Sequence, residues 1–153
     1  MMFVVDTNIL IYAADKRSDF HPLCSNLVEK WKERLDPWHL TWGICYEFLR
    51  VSTHPKVFRN PWKVTDSWSF LEALQASPGF SMLVETDRHS QLFAQSIQDQ
   101  PHLRANLLHD FHTAVLMKEH GIRWIYTRVI AFRRFSSIEP IDPITAQGNI
   151  NDS

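Results

Sequence analysis

The sequence predicts an α/β fold in which a mostly parallel sheet lies between layers of helices. Three observations carry this. Short apolar runs alternate with longer segments whose apolar residues recur every three or four positions. The resulting order, β-α-α-β-α-α-β-α-α-β-β, puts helices between successive strands, and strands joined by helical crossovers run parallel. At 153 residues and 44% hydrophobic composition, the chain can bury the core of one domain.

The elements follow in order. Phe3–Val5 is a short apolar strand running into Asp6, and Asn8–Ala14 is the helix after it. Asp6 sits where its carboxylate can cap that helix. A polar helix spans Pro22–Arg34, with Leu23, Leu27, Trp31 and Leu35 at a spacing of four. Asp36-Pro37 stops it. Trp38–Trp42 is a strand and Gly43–Val51 a helix, followed by a loop over Pro55–Pro61. Thr65–Ala76 is a helix with Trp68, Leu71 and Leu74 on its apolar side. Ser77-Pro78-Gly79 turns into strand Phe80–Val84. Asp87 is placed to cap helix Arg88–Ile97. Leu103–His120 is a long helix closed by Gly121. Trp124–Thr127 and Ile138–Ile141 complete the strands. Residues 1–143 form a single domain, and 144–153 are a polar, loose tail.

Composition narrows the function. No apolar run reaches the roughly 18 residues of a membrane span, and the N-terminal stretch, interrupted by Asp6 and Asn8, is not a signal peptide. Cys24 and Cys45 have no metal-binding spacing and are expected as buried thiols in a reducing cytoplasm. A net charge of −1 means that any nucleic-acid surface is local.

Three acids occupy comparable settings. Asp6 ends the first strand, at the sheet edge where open α/β folds bind ligands. Glu47 lies early in the helix after the second strand, among Ile44, Phe48 and Leu49. Asp110 lies on the long helix, among Leu107, Phe111, Ala114 and Val115. Acids in apolar surroundings are costly unless paired or metal-bound. Three carboxylates about 5 Å apart repel by roughly 3 kcal/mol per pair at an effective dielectric near 20. A divalent cation removes that repulsion, and oxygen-only ligands suit Mg²⁺ or Mn²⁺. The competing arrangement has Glu47 paired with Arg50 or Arg128 and Asp110 on a solvated face.

Four blocks carry a family resemblance: DTNILIY; WxxxxEFLRVxTHPxVF; NLxHDxxxAxLxxEHG; and T-x-x-x-x-F-x-R-F. In this order and at these separations, from about Phe3 to Pro143, the chain resembles a PIN domain, most closely the ribonuclease toxins of the VapC type from bacterial toxin–antitoxin pairs. The resemblance implies a three-layer, Rossmann-like fold, with a sheet of about five strands flanked by helices. It also implies an acidic metal site at the carboxyl edge and metal-dependent hydrolysis of RNA phosphodiesters. Asp6, Glu47 and Asp110 fall on the family's first three acids, which makes them the expected catalytic and Mg²⁺ (or Mn²⁺) ligands. Thr7, Asn8 and Thr127 fall on its supporting polar positions. An antitoxin partner and a homodimer surface are implied as well, with the Trp62–Trp68 region as a candidate interface.

One block departs from the pattern. The family's T-x-D-x-D-F is here Thr127-Arg128-Val129-Ile130-Ala131-Phe132, so Val129 and Ala131 stand where carboxylates are expected, and Glu139 and Asp142 come too late to replace them. Weakened metal binding and lowered activity are the expectation. The alternative is a degenerate, non-catalytic domain that binds RNA or an antitoxin-like partner; a plain α/β scaffold is a third reading. Candidate RNA-binding cations are Arg50, Lys56, Arg59 and Lys63, with Arg128, Arg133 and Arg134 beside the altered block. Trp62 and Phe132 are candidates to stack on bases. His109 and His112 share a helix face and suggest a zinc pair, without an evident third ligand.

Overall fold

The computed structural model describes residues 1–150, and the side chains of residues 1–146. Strands β1 (Phe3–Val5), β2 (Trp38–Thr41), β3 (Phe80–Leu83), β4 (Trp124–Tyr126) and β5 (Glu139–Ile141) form one sheet in the order β3-β2-β1-β4-β5. Every neighbouring pair is parallel. The helices are α1 (Thr7–Ala14), α2 (His21–Glu33), α3 (Trp42–Ser52), α4 (Val64–Gln75), α5 (His89–Gln98), α6 (Asn106–Glu119) and α7 (Pro143–Ile150), with a 3-10 turn at Ile130–Arg134.

The sheet is flanked by helices because its central strand is apolar on both sides. Successive strand residues face opposite ways, and Phe3, Val4 and Val5 are all fully buried. Phe3, Trp31 and Tyr126 pack as an aromatic group with ring centroids 4.9–5.3 Å apart. Phe48 stacks on Phe70 at 4.9 Å, tying α3 to α4. A buried hydrogen bond of 2.7 Å between the Ser52 and Ser67 hydroxyls joins the same two helices. Both cysteines are free and buried; burial pushes the Cys24 thiol up to about 11 and the Cys45 thiol to about 12.

Helix ends and faces differ from the sequence expectation in five places. Cys24, Val28 and Trp31 form the buried stripe of α2, Leu23 and Leu27 lie at its half-buried margin, and Leu35 lies beyond the helix, 82% exposed. Trp68 stays partly exposed while Leu71 and Leu74 enter the core. Asp87 does not cap α5: Arg88 occupies the cap position without a side-chain bond, and Thr86 Oγ1 accepts its N–H instead. Helix α6 begins at Asn106 rather than Leu103, because Ala105 takes φ 56° and ψ −131°, a conformation that breaks the helix and is strained for a residue with a Cβ. The polar tail contains α7, whose first turn is held by Asp142 Oδ1 accepting the Ile144 N–H; residues 151–153 of that tail lie outside the described residues.

Two glycines act where expected. Gly121 closes α6 at φ +70°, with the Ile122 N–H reaching back to the Met117 carbonyl at 2.8 Å. At Gly79 a Cβ would press on the Asp36 and Arg34 carbonyl oxygens, and its own carbonyl accepts the Trp38 N–H. Connections run from β1 toward β2 and β3 on one side, and to β4 and β5 on the other. The order therefore reverses beside β1, where α/β sheets form a ligand crevice at the strand ends.

Candidate active site

That crevice is an open cleft of about 770 Å³, lined by Asp6, Asn8, Glu47, Asp110 and Val129 among others. Each side chain arrives through local structure. Asp6 ends β1 and caps α1, accepting the Thr7 N–H at 2.8 Å. Thr41 ends β2 and caps α3 through the Ile44 N–H, and this aims the first turns of α3, with Glu47, at the sheet edge. Thr7 bonds across to the Ile44 carbonyl and locks the α1 and α3 starts together. Asn106, His109 and Asp110, one turn of α6, lie on the cleft wall.

A polar network fixes Asp6. Thr127 Oγ1 donates to its Oδ2 at 2.7 Å and accepts the Val129 N–H at 2.9 Å. Asn8 Nδ2 donates to the same Asp6 oxygen at 3.0 Å and to Thr127 at 3.3 Å, while Asn8 Oδ1 accepts the Arg128 N–H. Thr7, Asn8 and Thr127 thus orient the carboxylate rather than line the cleft passively.

The electrostatics mark the cleft as short of positive charge. Asp6 is 6% exposed, and burial raises its pKa despite the hydrogen bonds. Asp110 is pushed up to about 6, first by burial and then by the Asp6 charge, against the opposing effect of His109. Glu47 is held low, chiefly by its hydrogen bond to Arg50 at 2.5 Å. The three acids line one cleft with Glu47 turned to Arg50, while Asp110 is half-buried there rather than on a solvated face. Asp6, Glu47 and Asp110 do not bring three ligand atoms within 4.8 Å of one another, whereas Glu85, His89 and His112 do. A donor set of carboxylate oxygens, two of them with raised pKa, fits a hard divalent cation.

Val129 lines the cleft where an acid was expected; Ala131 sits in the 3-10 turn. No late acid replaces them: Glu139 pairs with Arg123, and Asp142 with Arg128 at 3.1 Å. Among the candidate cations, Arg50 lines the cleft, Lys56, Arg133 and Arg134 are exposed, and Arg128 is committed to Asp142 and lies over the Phe20 ring at 4.8 Å. Phe132 is fully buried and presents no face to a base, and Trp62 packs against Phe48, Phe58 and Phe70. The histidine pair divides, His109 into the cleft and His112 toward Glu85. The sequence reading missed Tyr12, Asn106 and His109 as cleft residues. Asn106 and Asp110, four apart, share a helix face, which was the available signal.

Comparison with known proteins bears on this geometry. No family model matches the chain. Ribonuclease VapC43 of Mycobacterium tuberculosis is 32% identical over 145 residues, which span 92% of this chain and 97% of that protein. The chain belongs to the VapC ribonuclease family. Ribonuclease VapC48 of the same organism is 28% identical over 140 residues, covering 92% and 96% of the two chains. Solved VapC-containing structures share the fold at low identity. VapBC2 from Rickettsia felis, bound to a DNA fragment from its promoter, superposes with TM-score 0.62 at 16% identity over 92% of this chain and 98% of that one. VapBC-1 from nontypeable Haemophilus influenzae gives TM-score 0.61 at 16% identity over 94% and 99%. The five-stranded parallel sheet with flanking helices is the VapC architecture, and among the described residues no helix is long and apolar enough to cross a membrane.

Proposed function

We propose that this VapC-family ribonuclease is a Mg²⁺- or Mn²⁺-dependent endoribonuclease that works as the cytoplasmic toxin of a toxin–antitoxin pair. The observation that carries it is the meeting of Asp6, Glu47 and Asp110 in one cleft at the point where strand order reverses. Asp6, Glu47 and Asp110 would hold the cation, which supplies Lewis-acid stabilisation of phosphoryl charge and acidifies the attacking water. The chain's own residues do the rest. Thr127, Asn8 and the Thr7 N–H keep the Asp6 carboxylate in one orientation. One of the three cleft carboxylates would accept the proton of the attacking water. Arg50 shields Glu47 when RNA is absent and lies where it can swing to a phosphate. Exposed Lys56, Arg133 and Arg134 add local positive charge for the RNA backbone.

Val129 leaves the cleft one carboxylate short, so we infer binding of a single cation with lowered affinity. The exposed aromatic face of Trp42, Tyr46 and Trp68, where the Trp42 and Trp68 rings stack at 6.3 Å, is the candidate antitoxin or homodimer surface. The test is cleavage of structured RNA with Mn²⁺ or Mg²⁺, alongside EDTA and Asp6→Asn controls. Products that disappear in both controls are expected. A folded protein that yields no products at high Mn²⁺ overturns the catalytic reading.

A further inference from the structure

Outside the cleft, three side chains with metal-ligand chemistry converge on the α5–α6 side. Glu85 follows β3, His89 opens α5 and His112 lies on α6, and one ligand atom from each lies within 4.8 Å of the others. Glu85 Oε1 is 2.8 Å from His112 Nε2, and the two imidazole centroids are 5.5 Å apart. We propose that Glu85, His89 and His112 form a second cation site, selective for Zn²⁺, that joins α5 to α6.

A second feature points the same way. Behind His89 lies Glu119, whose side chain is fully buried. Its Oε2 accepts the Thr86 N–H at 3.0 Å and its Oε1 meets His89 Nδ1 at 3.1 Å. The Arg88 guanidinium bonds the Glu119 carbonyl and steadies the same turn. A carboxylate on Nδ1 puts the ring proton there and leaves Nε2 with the free lone pair, the outer arrangement that orients metal-binding histidines. Two imidazoles and one carboxylate suit Zn²⁺ over the hard cation proposed for the cleft, and leave a fourth position for water. An ion can reach the site, since Glu85 and His112 are 48% and 39% exposed.

The fold has a use for such a link. Helix α5 buries no residue completely; Phe93 packs on Phe111 of α6 with ring centroids 5.0 Å apart, beside the His89–Glu119 bond. His112 sits two residues beyond Asp110, on a different side of α6, so the ion would brace the helix that carries part of the cleft wall without occupying it.

The experiment is equilibrium dialysis of the full chain against Zn²⁺ in the presence of excess Mg²⁺, repeated with Asp6→Asn, His89→Gln and His112→Gln, each checked for folding by circular dichroism. About one Zn²⁺ per chain is expected for the parent and for Asp6→Asn, with affinity weakened at least about tenfold by either histidine change. Zn²⁺ should also raise the unfolding temperature of the parent but not of folded His112→Gln. No retained Zn²⁺, retention unaffected by both histidine changes, or loss only in Asp6→Asn would each overturn the proposal. The last result would place Zn²⁺ in the cleft instead. Because Asp6→Asn separates the two sites, failure here leaves the cleft reading standing.

Discussion

Asp110→Asn should stabilise the metal-free protein, although it removes a proposed catalytic group. Asp110 is raised from 3.8 to about 6 by burial and by the charge of Asp6. The native state therefore holds its proton more tightly than the unfolded chain. Stability falls as pH climbs from about 4 through 6, and the full cost is present above that window. A rise of this size corresponds to about 3 kcal/mol at neutral pH, and partial solvation of the carboxyl reduces it to about 1.5 kcal/mol. Asparagine keeps the shape and carries no charge. In EDTA near pH 7.5 its unfolding temperature should exceed the parent's by about 4 °C, and the gap should shrink to roughly half near pH 5. Thermal denaturation followed by circular dichroism measures both. Saturating Mg²⁺ should reverse the order, because the parent gains more binding free energy than the variant. An Asp110→Asn protein no more stable than the parent near pH 7.5, or a gap independent of pH, would refute the picture of an uncompensated carboxylate in the cleft.

Val129→Asp places a fourth carboxylate on the cleft wall; the Mg²⁺ concentration for half-maximal RNA cleavage should fall about tenfold while the metal-free protein loses stability, both read by titration. Thr127→Val removes the 2.7 Å donor to Asp6 and the acceptor for the Val129 N–H, so unfolding free energy should drop by about 1–3 kcal/mol, cleavage rate should fall and the Mg²⁺ requirement should rise, both read by titration. Gly79→Ala drives a methyl into two backbone carbonyls beside β2 and β3; a loss of about 1–3 kcal/mol in urea denaturation is expected, with RNA cleavage per folded molecule unchanged.

The division between sequence and structure can be seen residue by residue. Local chemistry was legible in the chain. The apolar run Phe3–Val5, too short for a helix and followed by a polar cap, announces a buried strand, and Gly121 after an amphipathic segment announces a helix end. Alternation of such elements was enough to imply a parallel sheet, and the Asp6, Glu47 and Asp110 blocks were enough to suggest the family. Faces and ends were less legible, because they depend on what each element packs against. The buried stripe of α2 is Cys24, Val28 and Trp31, the last packed on Phe3 and Tyr126, and α6 starts late because Ala105 adopts a backbone no propensity favours. Pairing between distant residues was decided only by the tertiary structure. The Glu47–Arg50 pair, three apart on one helix, was legible in the chain, but Arg128 spent on Asp142 and Thr127 reaching Asp6 across 121 positions are side-chain geometries. So is the meeting of Glu85, His89 and His112. Chain spacing carries no information about such contacts, because the energy of a charge or a hydrogen bond depends on separation in space, set here by three strands ending at one edge of the sheet.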